Sequence, residues 1–319
     1  MRFTFTIFNL GRIKHILLIF SLLIIECQMS FSATEYGIFD HYTTKDGLIS
    51  NRVFALTQDS NGFIWIATDF GLDRFDGSSF IHHRKKDYPE IVREDFLFVH
   101  ALPNNRITAG GYYGFFVEYD QIKDVFRDVK PQEYEETFYK ETMEVYIKNG
   151  KQYAYSSCGA YIYDPQTESY SSENDLFRAT KNLFVRAMYI DKMDRYWLGS
   201  MDSMMVYDSK GNLQLRYKPD GDACSFVRTM IPLNDSLLLV APQTAEVWIF
   251  NTNQTNIQPP RVIKTPFDCI TNIVCDKTGR YWIATDAHGL WYTDDFQCAE
   301  PKFTNLRPFN ATIDEAQKI

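Results

Sequence analysis

Concentrated positive charge is missing from this 319-residue chain. Its 33 Lys and Arg are outnumbered by 41 Asp and Glu, the net charge is −8, and no basic run exceeds the triplet Arg84, Lys85, Lys86. Nucleic-acid binding draws its strength from a clustered basic face that neutralises phosphates, so this function class is disfavoured and no nucleic-acid partner is expected. Cysteines at C-x-x-C spacing and histidines at H-x-x-x-H spacing are also absent. That removes the usual zinc patterns, and neither a metal nor a cofactor is expected. Cys158, Cys224, Cys269, Cys275 and Cys298 follow the N-terminal leader that contains Cys27. This odd set reads as buried free thiols, with at most one incidental disulfide. No kinase or hydrolase motif is present, so the chain is not read as an enzyme.

A hydrophobic run long enough to cross a membrane is lacking too. The apolar stretch from Ile16 to Ile25 is far short of the roughly 20 helical residues that a bilayer core requires. It follows Arg2, Arg12 and Lys14 and precedes the small residues Ser30 and Ser32, the three-part layout of an export signal. Residues 1–32 are therefore read as a signal peptide, and the rest as an exported, periplasmic chain.

What the chain does have is aromatic residues, 16% of the total, at a regular interval. An aromatic-Asp pair recurs at Phe75-Asp76, Tyr119-Asp120, Tyr163-Asp164 and Tyr207-Asp208, then weakens to Phe250-Asn251 and Thr293-Asp294, in steps of 44, 44, 44, 43 and 43. A second anchor stands upstream of each, at Trp65, Thr108, Tyr153, Trp197, Leu238 and Trp282. Three residues before these lie Gly62, Asn105, Gly150, Asp194, Asp235 and Gly279, all of types that accept the left-handed backbone of a tight turn. Short alternating stretches flank each turn, as in DSNGFIWIATDFGLDRFDG from Asp59 to Gly77. Four short strands per copy at a period near 43 predict an all-β fold, a β-propeller whose blades must stack to bury their faces.

Six blades are expected, at about 53–82, 95–128, 142–172, 183–217, 226–259 and 270–304, with fourth strands at Phe80, Phe126, Tyr170, Leu213, Ile257 and Phe303. An extra N-terminal strand is expected over 37–43, carrying Phe39 and Tyr42. Because such a strand commonly completes the last blade of a ring, the sequence reads as six blades plus one strand of a ring built for seven, with 305–319 as a tail or the start of another blade. The alternative is a six-bladed ring with a strand outside it.

The run GLISNRVFALTQDSNGFIWIATDFGLDRFDG, Gly47 to Gly77, resembles the two-component regulator propeller repeat, with weaker copies at Val185 to Asp208 and Thr271 to Asp294. That resemblance implies the periplasmic sensor region of a hybrid two-component regulator of Bacteroidota, in which the propellers sense products of polysaccharide breakdown. It implies further propeller, membrane and kinase domains as partners in a longer protein, an oligosaccharide ligand, and a homodimer as one form of assembly. Two other readings stay open: a propeller enzyme acting on carbohydrate, glycosidase or lyase, and an interaction scaffold or truncated, non-signalling fragment.

Asp59, Gly62 and Trp65, with Asp194, Trp197, Gly279 and Trp282 in later copies, read as structural, because a catalytic group needs no copies. Ligand contacts are expected instead on the rim, where the second-to-third-strand corners of several blades converge. Tyr112 and Tyr113 are the candidates for stacking on a sugar ring, and Asp69, Asp202, Asp286 and His288 for hydrogen bonds to its hydroxyls.

Overall fold

The computed structural model describes residues 34–37, 40–103, 105–112, 115–129, 142–157, 159–172, 174–181, 183–218 and 226–308. The leader, Phe39, Cys158, Cys224 and the segment 309–319 lie outside the described residues.

Six four-stranded antiparallel sheets follow one another along the chain and surround a common axis as the blades of a β-propeller. Their innermost strands are Val53–Gln58, Phe96–Leu102, Thr142–Lys148, Ala187–Ile190, Val227–Pro232 and Ile270–Cys275. Each blade then steps outward through three more strands, in blade one Ile64–Thr68, Gly71–Phe75 and Phe80–His83. The only α-helix among the described residues is one short segment, Asp175–Thr180, between blades three and four.

The repeated Asp, Gly and Trp make one structural device. Asp59 Oδ1 accepts the N–H groups of Asn61 (2.9 Å) and Phe63 (3.0 Å), while Oδ2 accepts the indole N–H of Trp65 (2.9 Å). Asp191 and Asp276 do the same for Trp197 and Trp282, both at 2.8 Å. The turn is closed by the residue three positions after the Asp, and Gly62, Asp194 and Gly279 there all have positive φ. Asn105 and Gly150 adopt it in blades two and three. The carboxylate thus satisfies turn donors that a hairpin leaves orphaned and anchors the indole, which in blades one and four packs against the next blade.

Blade five uses different chemistry and shifts the expected frame by one residue. Its turn is closed by Leu233 N–H donating to Leu237 O, the counterpart of Asp59 N–H to Phe63 O, and Asn234 Oδ1 accepts from Ser236 and Leu237 N–H. Leu239, paired with Ile231 as Trp65 is with Thr57, therefore holds the anchor position expected for Leu238, and Asp235 is not the positive-φ residue. The fourth strands of blades five and six also start later than expected, at Arg261–Lys264 and Thr304–Pro308. Ile257 is instead a buried core residue ahead of its strand.

The early strand is Thr34–Gly37, not 37–43. It runs parallel to Thr304–Pro308 as a fifth strand of blade six, so it does not supply the fourth strand of a seventh blade. Residues 40–50 run on as irregular chain over blade one, where Tyr42 packs on Phe75 and Phe80 (ring centroids 4.9 and 5.9 Å) and Ile49 N–H donates to the buried Asp73 (2.7 Å).

Core clusters fill the five seams between consecutive blades. Trp65, Phe96 and Tyr119 lie between blades one and two, and Phe98, Phe116 and Tyr161 between two and three. Tyr155, Met188 and Leu198 follow between three and four, Trp197, Val227 and Trp248 between four and five, and Leu239, Phe267 and Ile273 between five and six. No such cluster joins blade six to blade one among the described residues. One repeat position records the difference. Val99, Val145, Met188 and Ile273 are buried against the preceding blade, whereas Leu56, their counterpart in blade one, is 66% exposed.

The first seam also encloses His83, 2% exposed among Trp65, Tyr88, Tyr119 and Phe126, with no hydrogen-bond partner for its Nδ1. Burial, reinforced by the charge of Arg74, lowers its pKa from 6.5 to about 4. The unfolded chain therefore takes up this proton first, and stability present above pH 6.5 is lost as pH falls toward 4. Chemical denaturation across this range should show a loss of roughly 2–3 kcal/mol that His83→Leu flattens; an unchanged slope in the variant would assign the loss elsewhere.

Candidate ligand site at the mouth of the central channel

The site begins with a repeated irregularity in the innermost strands. Each of these strands starts beside the end of its neighbour, as Val53 pairs with Thr68 and Ile270 with Thr285, so it starts at the same end of the ring as the second-to-third-strand corners. Just inside that end the pairing slips by one residue. The slip leaves out Phe54 in blade one, Leu97 in two, Met143 in three, Arg228 in five and Thr271 in six. In blade four Arg186 stands at the same place ahead of its strand, its N–H donating to Gly199 O at 2.8 Å. A bulge takes a residue out of the ladder and re-aims its side chain. Phe54, Leu97, Arg186, Arg228 and Thr271 all line one cavity of about 710 Å³ on the axis. The side chain of Met143 lies outside the described residues.

Tyr112, from the corner of blade two, joins Phe54 and Leu97 in the wall. Deeper in, Glu144 accepts the hydroxyl of Tyr155 at 2.8 Å and lies 3.9 Å from Nδ1 of His100. Burial lowers the pKa of His100, with Glu144 opposing the shift, and burial followed by the Glu144 charge holds Tyr155 well above 10. Tyr155 is therefore a fixed neutral donor and His100 is neutral at pH 7. Across the cavity the guanidinium of Arg186 lies over the rings of Phe184 and Phe226, at 4.9 and 5.2 Å. With the Gln243 amide, on a corner of blade five, turned so that its oxygen faces the donors around it, Arg228 donates to that oxygen from Nε (3.0 Å) and Nη2 (2.8 Å). The wall thus has an apolar, aromatic side from blades one and two and a cationic side from blades four and five.

Of the rim residues singled out in the sequence, Tyr112 lines this cavity, and Tyr113 lies outside the described residues. The others do not line it. Asp69 accepts the hydroxyl of Ser50 at 2.6 Å. Asp202 accepts that of Ser203 at 2.9 Å, which with Arg216 and Lys218 nearby lowers its pKa. Asp286 and His288 are exposed on the blade-six corner, where His288 Nδ1 is 3.2 Å from Asp268. The bulge residues were missed because they share a position and no chemistry. Stepping by the repeat from Phe54 reaches 97, 143, 186, 228 and 271, and that register was the available signal. No metal-binding group of three or more His, Cys, Asp or Glu occurs among the described residues, where Cys269, Cys275 and Cys298 are free thiols but none is buried as expected: Cys269 and Cys298 are half-buried and Cys275 is exposed. No helix there is long and apolar enough to cross a membrane.

Residues 47–70 match the family described as two component regulator propeller, which bears out the resemblance carried by the first repeat. Two solved extracellular domains from B. thetaiotaomicron share the fold. One belongs to a candidate hybrid two component system (17% identity, TM-score 0.65, 81% of this chain and 35% of that one). The other belongs to a candidate one component system (17%, 0.66, 89% and 36%). PorZ, a surface component of the type-IX secretion system of Porphyromonas gingivalis, is also similar (15%, 0.52, 75% and 38%). The chain spans little more than a third of the length of each. No curated protein matches it in sequence.

Proposed function

We propose that this propeller is the ligand-sensing part of an exported sensor and takes an oligosaccharide at the mouth of its channel. The observation that supports this reading most is the convergence of side chains at one repeat position of five blades on one cavity of about 710 Å³, within the range of roughly 300–1,000 Å³ usual for small-ligand sites. Phe54 and Tyr112 offer aromatic faces that suit the C–H face of a pyranose, while Glu144, Thr271 and Asn272 offer partners to its hydroxyls. A site in contact with every blade can favour one arrangement of neighbouring domains or subunits over another, which is all a sensor requires of its ligand. Transmission would fall to further domains or a second copy. Binding is preferred to hydrolysis because Glu144 is the one carboxylate among the described lining residues, and glycoside hydrolysis ordinarily uses two.

Calorimetric titration with a panel of neutral and acidic oligosaccharides tests the reading. At least one member should bind, and Phe54→Ala or Tyr112→Ala should weaken it about 10-fold, as loss of a stacking face worth about 1.4 kcal/mol would. Silence across the panel would refute it.

A further inference from the structure

We infer that the saccharide taken at the channel mouth carries an anionic group, a carboxylate or a sulfate, where it meets blades four and five. This rests on the reading of the mouth as a saccharide site and adds the charge of its ligand. The chain carries a net charge of −8, yet the described lining of this cavity sets two guanidinium groups against one carboxylate. That carboxylate, Glu144, is engaged on the blade-three side by Tyr155.

Both arginines are held in place before any ligand arrives. The guanidinium of Arg186 lies over the rings of Phe184 and Phe226. Gln243 accepts from one edge of Arg228 and so uses two of the five N–H donors of that guanidinium. No carboxylate comes within ion-pair distance of Arg228 among the described residues. On the blade-six side, burial and the charges of Asp268 and Asp286 push the Cys269 thiol up while the charge of Arg228 opposes them. A planar, fixed fork with donors to spare matches the two oxygens of a carboxylate or sulfate, and fixing it in advance lowers the entropy lost on binding. Phe54, Leu97 and Tyr112, on the opposite wall, leave the ring of the same sugar an apolar surface.

Three probes separate the possibilities: digalacturonate, its methyl ester, which keeps the shape and removes the charge, and a sulfated disaccharide. The full chain should bind digalacturonate or the sulfated sugar roughly 10- to 100-fold more tightly than the ester, with the advantage shrinking as salt rises. Which of the two acids is preferred identifies the anionic group. Arg228→Gln should bring the acid down to the level of the ester, and Arg228→Lys should retain part of the difference, with thermal midpoints confirming that both variants are folded. Equal binding of acid and ester, or a preference indifferent to Arg228→Gln, overturns the inference and leaves the saccharide reading standing. Failure of these probes together with the neutral panel removes both.

Discussion

Asp191→Ala should cost about 3–5 kcal/mol of stability in chemical denaturation, because it strands a buried guanidinium. Asp191 is fully buried and accepts the N–H groups of Met193 and Arg195, Nε of Arg195 and the indole of Trp197. Arg195, 6% exposed, reaches on into blade five, donating to Thr252 O (2.6 Å) and Gln254 O (2.7 Å). One carboxylate therefore ties a turn, an indole and a clamp between two blades. Asp276 holds the same turn in blade six, but its Arg280 turns instead to Asp294 on its own blade. Asp276→Ala should accordingly be much milder. Equal losses in the two variants would mean that the turn alone matters and the clamp contributes nothing.

Trp197→Ala is expected to cost about 3–5 kcal/mol and Trp282→Ala no more than about 2, although the two residues occupy the same place in the repeat. Trp197 is fully buried against Phe250 of the next blade (5.3 Å), whereas Trp282 faces the seam without a core cluster, is half-buried, and meets mainly Tyr292 of its own sheet (5.6 Å). A second pair checks the other wall of that seam. Met188→Ala should lose about 2–4 kcal/mol and Leu56→Ala less than about 0.5, since only the first opens a cavity. If Trp282 and Leu56 proved as costly as their counterparts, blades six and one would have to be packed together in solution.

The parts of the fold legible in the sequence are those enforced by local backbone chemistry in every copy. A turn that requires positive φ selects Gly, Asn or Asp, so Gly62, Asn105, Gly150, Asp194 and Gly279 mark the period however far their neighbours diverge. Where that chemistry changes, the reading slips. Blade five closes its turn on Asn234, and the repeat spacing points one residue early, to Leu238 rather than Leu239. The strand Thr34–Gly37 pairs with residues about 270 positions away, a choice no local pattern records. The site was hidden for a related reason. A bulge fixes where a side chain points and leaves its identity free, so Phe54, Leu97, Arg228 and Thr271 look unrelated until their pairing is known. Tyr112 was recognised because it sits on a corner, where loops were already expected to gather.

A crystal structure of the chain with the tightest-binding oligosaccharide of the panel bears most directly on the proposed site. The sugar should lie on the axis, with a ring against Phe54 or Tyr112 and polar groups within hydrogen-bond distance of Arg186, Arg228 or Glu144. A ligand seated on the outer rim around Asp202 or His288, or on the flank of a blade, would contradict it.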